Sequence, residues 1–173
     1  MRSFQRSAWP TCRQLVALEP KSLGSEFPAV RHPALGLLRR GSSNRRTFTI
    51  STWVKRSALG SNKVIISASN GGNRDWIQFD NDDLTVAKYN GGYEYRFITN
   101  RKFRDVSAWY HIVVAFDTTQ GTESNRVKIY VNGTQETSFE IASYPSQNFD
   151  TNYNTVSLSQ NISKDWDSSN YFD

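Results

Sequence analysis

From Thr47 onward, apolar and polar residues alternate with a period of two, the signature of strands with one buried side. Phe48, Ile50 and Val54 open the series in a run that also holds Trp53. Short runs follow at Val64–Ile66, Trp76–Phe79, Leu84–Val86 and Tyr95–Phe97. Tyr110, Ile112, Val114 and Phe116 share one face of the next run, and Trp109, His111, Val113 and Ala115 share the other. Val127, Ile129 and Val131 alternate with charged and polar partners, and Phe139/Ile141 and Val156/Leu158 close the series. Asn70-Gly-Gly-Asn73, Asn90-Gly-Gly92, Asn132-Gly133 and Asp80-Asn-Asp-Asp83 separate the runs. Asn-Gly suits the left-handed angles of tight hairpins. The links are too short for crossover helices, so neighbouring strands are expected to be antiparallel. About nine short strands with turns between them predict an all-β sandwich or barrel.

The first 43 residues read differently. Pro10, Pro20, Pro28 and Pro33 interrupt them, and neither strand nor helix period is sustained. Residues 1–43 are expected to be a poorly ordered lead-in, and 44–173 the folded unit. The charge divides in the same place. Residues 1–46 hold nine Lys/Arg against two Glu, whereas 47–173 hold twelve Lys/Arg against fourteen Asp/Glu. The net charge of +5 therefore belongs to a basic arm and not to a basic globular face. Nucleic-acid binding is confined to that arm as a lesser alternative. No apolar run is long enough for a membrane-spanning helix. The single cysteine, Cys12, excludes an internal disulfide.

Three stretches carry a resemblance. Thr47-Phe-Thr-Ile-Ser-Thr-Trp-Val-Lys55, Trp109-Tyr-His-Ile-Val-Val-Ala-Phe-Asp117 and Val127-Lys-Ile-Tyr-Val-Asn-Gly133 resemble, in order and spacing, strands of laminin G-like domains. These belong to the concanavalin A-like lectin/glucanase group. Asn44-Arg-Arg-Thr-Phe48 and Trp53-Val-Lys-Arg56 resemble versions found in phage tail-fibre and other phage structural proteins. The resemblance covers about residues 44–173. It implies an antiparallel jelly-roll sandwich, a virion or extracellular location, and a glycan or a neighbouring structural protein as partner, with oligomer formation open. It also implies sheet-closing strands at both ends that this stretch does not display. The chain is therefore expected to lack its final strand and to be incomplete at both ends.

Catalytic chemistry finds little support in the pattern. The Glu-x-Asp-x-x-Glu strand of related glucanases does not occur, although a glycoside hydrolase of the same architecture remains the alternative. Glu136 and Glu140 read as the solvated side of a surface strand. His111 sits mid-strand without a nucleophile elbow and reads as structural. Calcium is a candidate ligand: Asp80, Asp82 and Asp83 cluster, and Asp165, Asp167 and Ser169 alternate. Neither group alone supplies the six to eight oxygens calcium takes, so local turn bonding explains them more simply. The candidate ligand-binding residues are aromatic. Tyr93 follows Gly91-Gly92, Tyr95 lies two residues on and is expected on the same side, and Trp166 stands between Asp165 and Asp167. Ring faces beside fixed acceptors are what a sugar-binding surface needs.

Overall fold

A computed structural model describes residues 44–163. The expected lead-in, residues 1–43, and the candidates Asp165, Trp166 and Asp167 lie outside the described residues. Among the described residues ten strands form two antiparallel sheets. In chain order they are β1 (Thr47–Lys55), β2 (Lys63–Asn70), β3 (Asn73–Asp80), β4 (Asp83–Tyr89), β5 (Tyr93–Lys102), β6 (Trp109–Asp117), β7 (Val127–Val131), β8 (Thr134–Gln135), β9 (Phe139–Ser143) and β10 (Ser159–Ile162). The smaller sheet runs β1-β6-β7-β8 and the larger β10-β2-β3-β4-β5-β9. β2 to β5 pair in succession through short turns, as do β7 and β8, as the spacing predicts, whereas β1 pairs with β6, β9 with β5 and β10 with β2. At the β7–β8 turn Asn132 and Gly133 both take positive φ, 51° and 80°, which is the left-handed pair a two-residue hairpin needs.

The period-two pattern decides which faces meet. Phe48, Ile50 and Val54 of β1 lie opposite Phe116, Val114 and Tyr110 of β6. With Ile129 and Val131 they pack against Ile77, Phe79, Leu84, Val86, Tyr95 and Phe97 of the larger sheet. Burying these faces is the principal favourable contribution to such a fold. Two features went unpredicted. Among the described residues the last strand is Ser159–Ile162, not Val156–Leu158, and Val156 is exposed. The irregular segment after β9 sends Tyr144, Phe149 and Tyr153 back to the core. Tyr153 meets Phe48 and Phe116 with ring centroids 5.9 and 6.1 Å apart.

That segment is tied down by a buried polar row. Asp75 on β3, Lys88 on β4 and Tyr95 on β5 are cross-strand partners in succession. The Tyr95 hydroxyl donates to Asp75 Oδ1 at 2.7 Å, and the backbone N–H of Asn152 donates to Asp75 Oδ2. Lys88 Nζ donates to Asn152 Oδ1 at 2.9 Å and lies 3.7 Å from Asp75 Oδ2. Every strong donor and acceptor in the row has a partner, which is the condition for burying charge.

Candidate functional site

Tyr93 and Tyr95 do not share a face. The register shifts between the pairs Lys88–Tyr95 and Tyr89–Tyr93. This leaves Glu94 as the extra residue of a bulge, and a bulge breaks the alternation that spacing assumes. Tyr95 points inward and is fully buried, with its ring edge-on to Phe116 and Phe149 at 5.8 and 6.0 Å. The expectation that Tyr95 presents a ring to a ligand is corrected: it is a core residue. Burial beside the Asp75 carboxyl raises its hydroxyl pKa well above the usual tyrosine value.

Tyr93 points outward and is 50% exposed. Its ring meets Tyr89 edge-on at 5.4 Å and lies 6.2 Å from Trp76. The Arg96 guanidinium sits 4.4 Å from the Tyr93 ring centre, and that of Arg74 lies 4.9 Å from Trp76. These contacts hold one face of Tyr93 against the protein and leave the rest at the tip of the β4–β5 hairpin. Cation–π contacts of this kind contribute about 0.5–1 kcal/mol at exposed positions, enough to orient a ring. Tyr89 is the neighbour that completes the surface.

A second aromatic surface occupies the outer face of the smaller sheet, and sequence reasoning missed it. Trp53 and His111 are cross-strand partners and stack at 4.7 Å with 17° between their planes. His111 Nε2 hydrogen bonds with Ser51 Oγ at 2.9 Å, and the His111 backbone N–H donates to Asn132 Oδ1. Trp109 lies beside them, opposite Lys55. The signal was present in the alternation, because Trp53 and Trp109 fall on the side opposite Val54 and Ile112.

Of the acidic candidates, Asp82 and Asp83 are committed elsewhere. Asp82 accepts from Arg104 Nε at 2.9 Å and Arg56 Nη1 at 3.3 Å, and Asp83 pairs with Lys102. The Arg104 and Arg56 hydrogen bonds hold the Asp82 carboxyl below the ordinary range, against a smaller opposing effect of burial. Among the described residues no group of three or more His, Cys, Asp or Glu side chains is arranged to hold a metal. Glu136 departs from expectation: it is buried and accepts from Arg101 Nε at 2.6 Å, instead of lining a solvated strand face with Glu140. Ser51 and His111 have the separation of a nucleophile and its base. No carboxylate hydrogen bonds to the imidazole among the described residues, so the third member of a triad is not supplied.

A family model described as the concanavalin A-like lectin/glucanase superfamily, of laminin G-like type, matches residues 30–173. The chain belongs to this superfamily. No curated protein matches it. The match begins fourteen residues before the resemblance visible at Asn44. The two antiparallel sheets are those of a concanavalin A-like sandwich, the fold class that the resemblance of the three stretches implies. Among the described residues no helix is long and apolar enough to cross a membrane.

Proposed function

We propose that this concanavalin A-like chain is a non-catalytic recognition module that binds carbohydrate through the rings at the β4–β5 hairpin. The observation that carries this reading is the braced, half-exposed Tyr93, flanked by Tyr89 and backed by the Arg96 guanidinium. A fixed ring costs a sugar little ordering entropy to stack upon, and guanidinium N–H groups beside it donate to ring hydroxyls. The pairing of Asp82, Asp83 and Glu136 with basic side chains supports a binding role over hydrolysis, since a glycosidase needs two opposed free carboxyl groups. The setting we propose is a virion tail or cell surface, on the resemblance of Asn44–Phe48 and Trp53–Arg56 to phage structural proteins.

A glycan array probed with the full chain and with Tyr93→Ala tests this reading. The wild type is expected to bind a defined glycan set. Tyr93→Ala is expected to weaken binding by about 1–3 kcal/mol with an unchanged melting temperature. No glycan retained at any salt concentration, or full retention by Tyr93→Ala, overturns it.

A further inference from the structure

Among the described residues β1 is an edge strand of the smaller sheet, and a cleft lies along it. It has a volume of about 290 Å³ and is lined by Trp53, Val54, Lys55, Ile65, Trp109 and Ile162 among others. Trp53 and Trp109 are 62% and 59% exposed. Leaving two indoles in water forgoes the large gain of burying them, so this is an apolar surface waiting for a partner. Trp53 is not loosely held: one of its faces is stacked on His111, which is fixed in turn by Ser51 and Asn132. The other face is open. Val54 and Ile65 are buried residues that give the cleft an apolar floor, and Ile162 stands exposed beside it.

The charge of the cleft narrows the occupant. Lys55 is the only ionisable residue in its lining. No salt bridge engages Lys55 among the described residues; it acts weakly on Asp105, whose carboxyl is held low chiefly by hydrogen bonds from Ser107. Lys63 at the start of β2 and Arg56 after β1 are engaged with other groups. An uncommitted ammonium beside two fixed indoles complements a flat, partly apolar ring that carries a negative charge.

We propose that this cleft binds a carboxylate-bearing pyranose of an acidic glycan, stacked on Trp53 and Trp109 and paired through its carboxylate with Lys55. The site is separate from the Tyr89/Tyr93 hairpin, and neither reading depends on the other.

The test is isothermal titration of the full chain with three probes: a hexuronic-acid oligosaccharide, sialyllactose and a neutral cello-oligosaccharide. At low salt the chain is expected to bind at least one acidic probe, and the arm that binds separates a uronate from a sialate. The neutral probe is expected to bind several-fold more weakly. Trp53→Ala and Trp109→Ala should each lower affinity roughly tenfold or more, as loss of a stacking ring does. Lys55→Gln should lower it roughly threefold, the scale of an exposed ion pair, and abolish the preference for the acidic probe. Tyr93→Ala should leave this binding unchanged, so loss of the hairpin site and loss of this one read out separately. Equal melting temperatures for the variants show that folding is intact. Three results overturn the proposal: no saturable binding of either acidic probe, equal binding of the neutral probe, or acidic-probe binding insensitive to Trp53→Ala and Lys55→Gln.

Discussion

Tyr95 Oη donates a 2.7 Å hydrogen bond to Asp75 Oδ1 across the whole width of β4, over the top of Lys88. This bond ties two non-adjacent strands of the larger sheet to each other. Through Asn152 it ties both to the segment that follows β9. Removing the hydroxyl leaves Asp75 with one donor fewer in a site without exposure. Tyr95→Phe is therefore expected to destabilise the fold by about 1–3 kcal/mol, the cost of an unmade bond to a buried group. Tyr95→Ala should cost more, about 3–5 kcal/mol, because a cavity is added against Phe116 and Phe149. Urea unfolding of both variants measures this. Variants as stable as the wild type would place Tyr95 outside the core.

The same row sets a pH dependence. Burial pushes the Asp75 carboxyl up to about 6 from the ordinary 3.8, against the opposing pull of Lys88, Tyr95 and Asn152. The ionisable groups facing it are Lys88, Tyr95, Tyr153 and Glu94, and Glu94 adds to the upward shift. A folded-state pKa above the unfolded value means the folded chain holds the extra proton between pH 4 and 6. Its stabilisation is complete below about 4 and is lost as pH rises through about 6, with a ceiling on the order of 3 kcal/mol. Asp105, Asp117 and Asp150 run the other way: hydrogen bonds lower them, so their contribution falls only below the ordinary carboxylate range. Melting temperature is thus expected to decline from pH 4.5 to 6.5 in the wild type and to stay flat in Asp75→Asn. A flat wild-type profile would show that Lys88 and the two donors outweigh burial.

The gap between pattern and structure is instructive at β5. Alternation placed Phe97, Val86 and Ile77 correctly, because they are partners across an unbroken stretch of the β3–β4–β5 ladder, where facing follows from counting by two. It failed between Tyr93 and Tyr95, where one inserted residue, Glu94, reverses the count. Nothing in Tyr93-Glu94-Tyr95 marks the bulge, since bulges arise from how a hairpin closes and not from one residue type. Glu136 was missed for a related reason. It lies between the two-residue β8 and β9, and its burial depends on Arg101, thirty-five positions away in sequence. The exposed side of β1 and β6 was legible, and it is where Trp53 and Trp109 sit.

The Trp53–His111 stack predicts how cheaply its outer member can be removed. Trp53 gives little area to the interior, so Trp53→Ala should cost under about 1 kcal/mol, within the range of cross-strand aromatic pairs. Trp76→Ala, at a position only 7% exposed, should cost about 3–5 kcal/mol. Thermal melts of the two tryptophan variants check the contrast. Comparable losses at both sites would mean that Trp53 is packed and not presented.

Arg56 makes the sharpest energetic claim. Its side chain is buried, donates to the Phe103 carbonyl at 2.7 Å and to the Asn81 carbonyl at 2.5 Å, and lies over the Phe79 ring at 4.8 Å. Asn81 is the β3–β4 turn residue with φ 53°, so one guanidinium holds a left-handed turn, the segment after β5 and the end of β1. The fork is necessary to this role: a lysine ammonium cannot reach two divergent carbonyls and Asp82 with a planar array. Arg56→Lys is therefore expected to destabilise nearly as much as Arg56→Met, about 3–5 kcal/mol, because both strand buried acceptors. Asp82 is a lesser partner, 3.3 Å from Arg56 and engaged also by Arg104. Asp82→Asn should accordingly cost under about 1 kcal/mol, in line with pairs near the surface. The double variant should show a coupling far smaller than the Arg56 loss. A coupling as large as the Arg56→Met loss would mean that the ion pair, and not the carbonyl bonds, holds this corner of the sandwich.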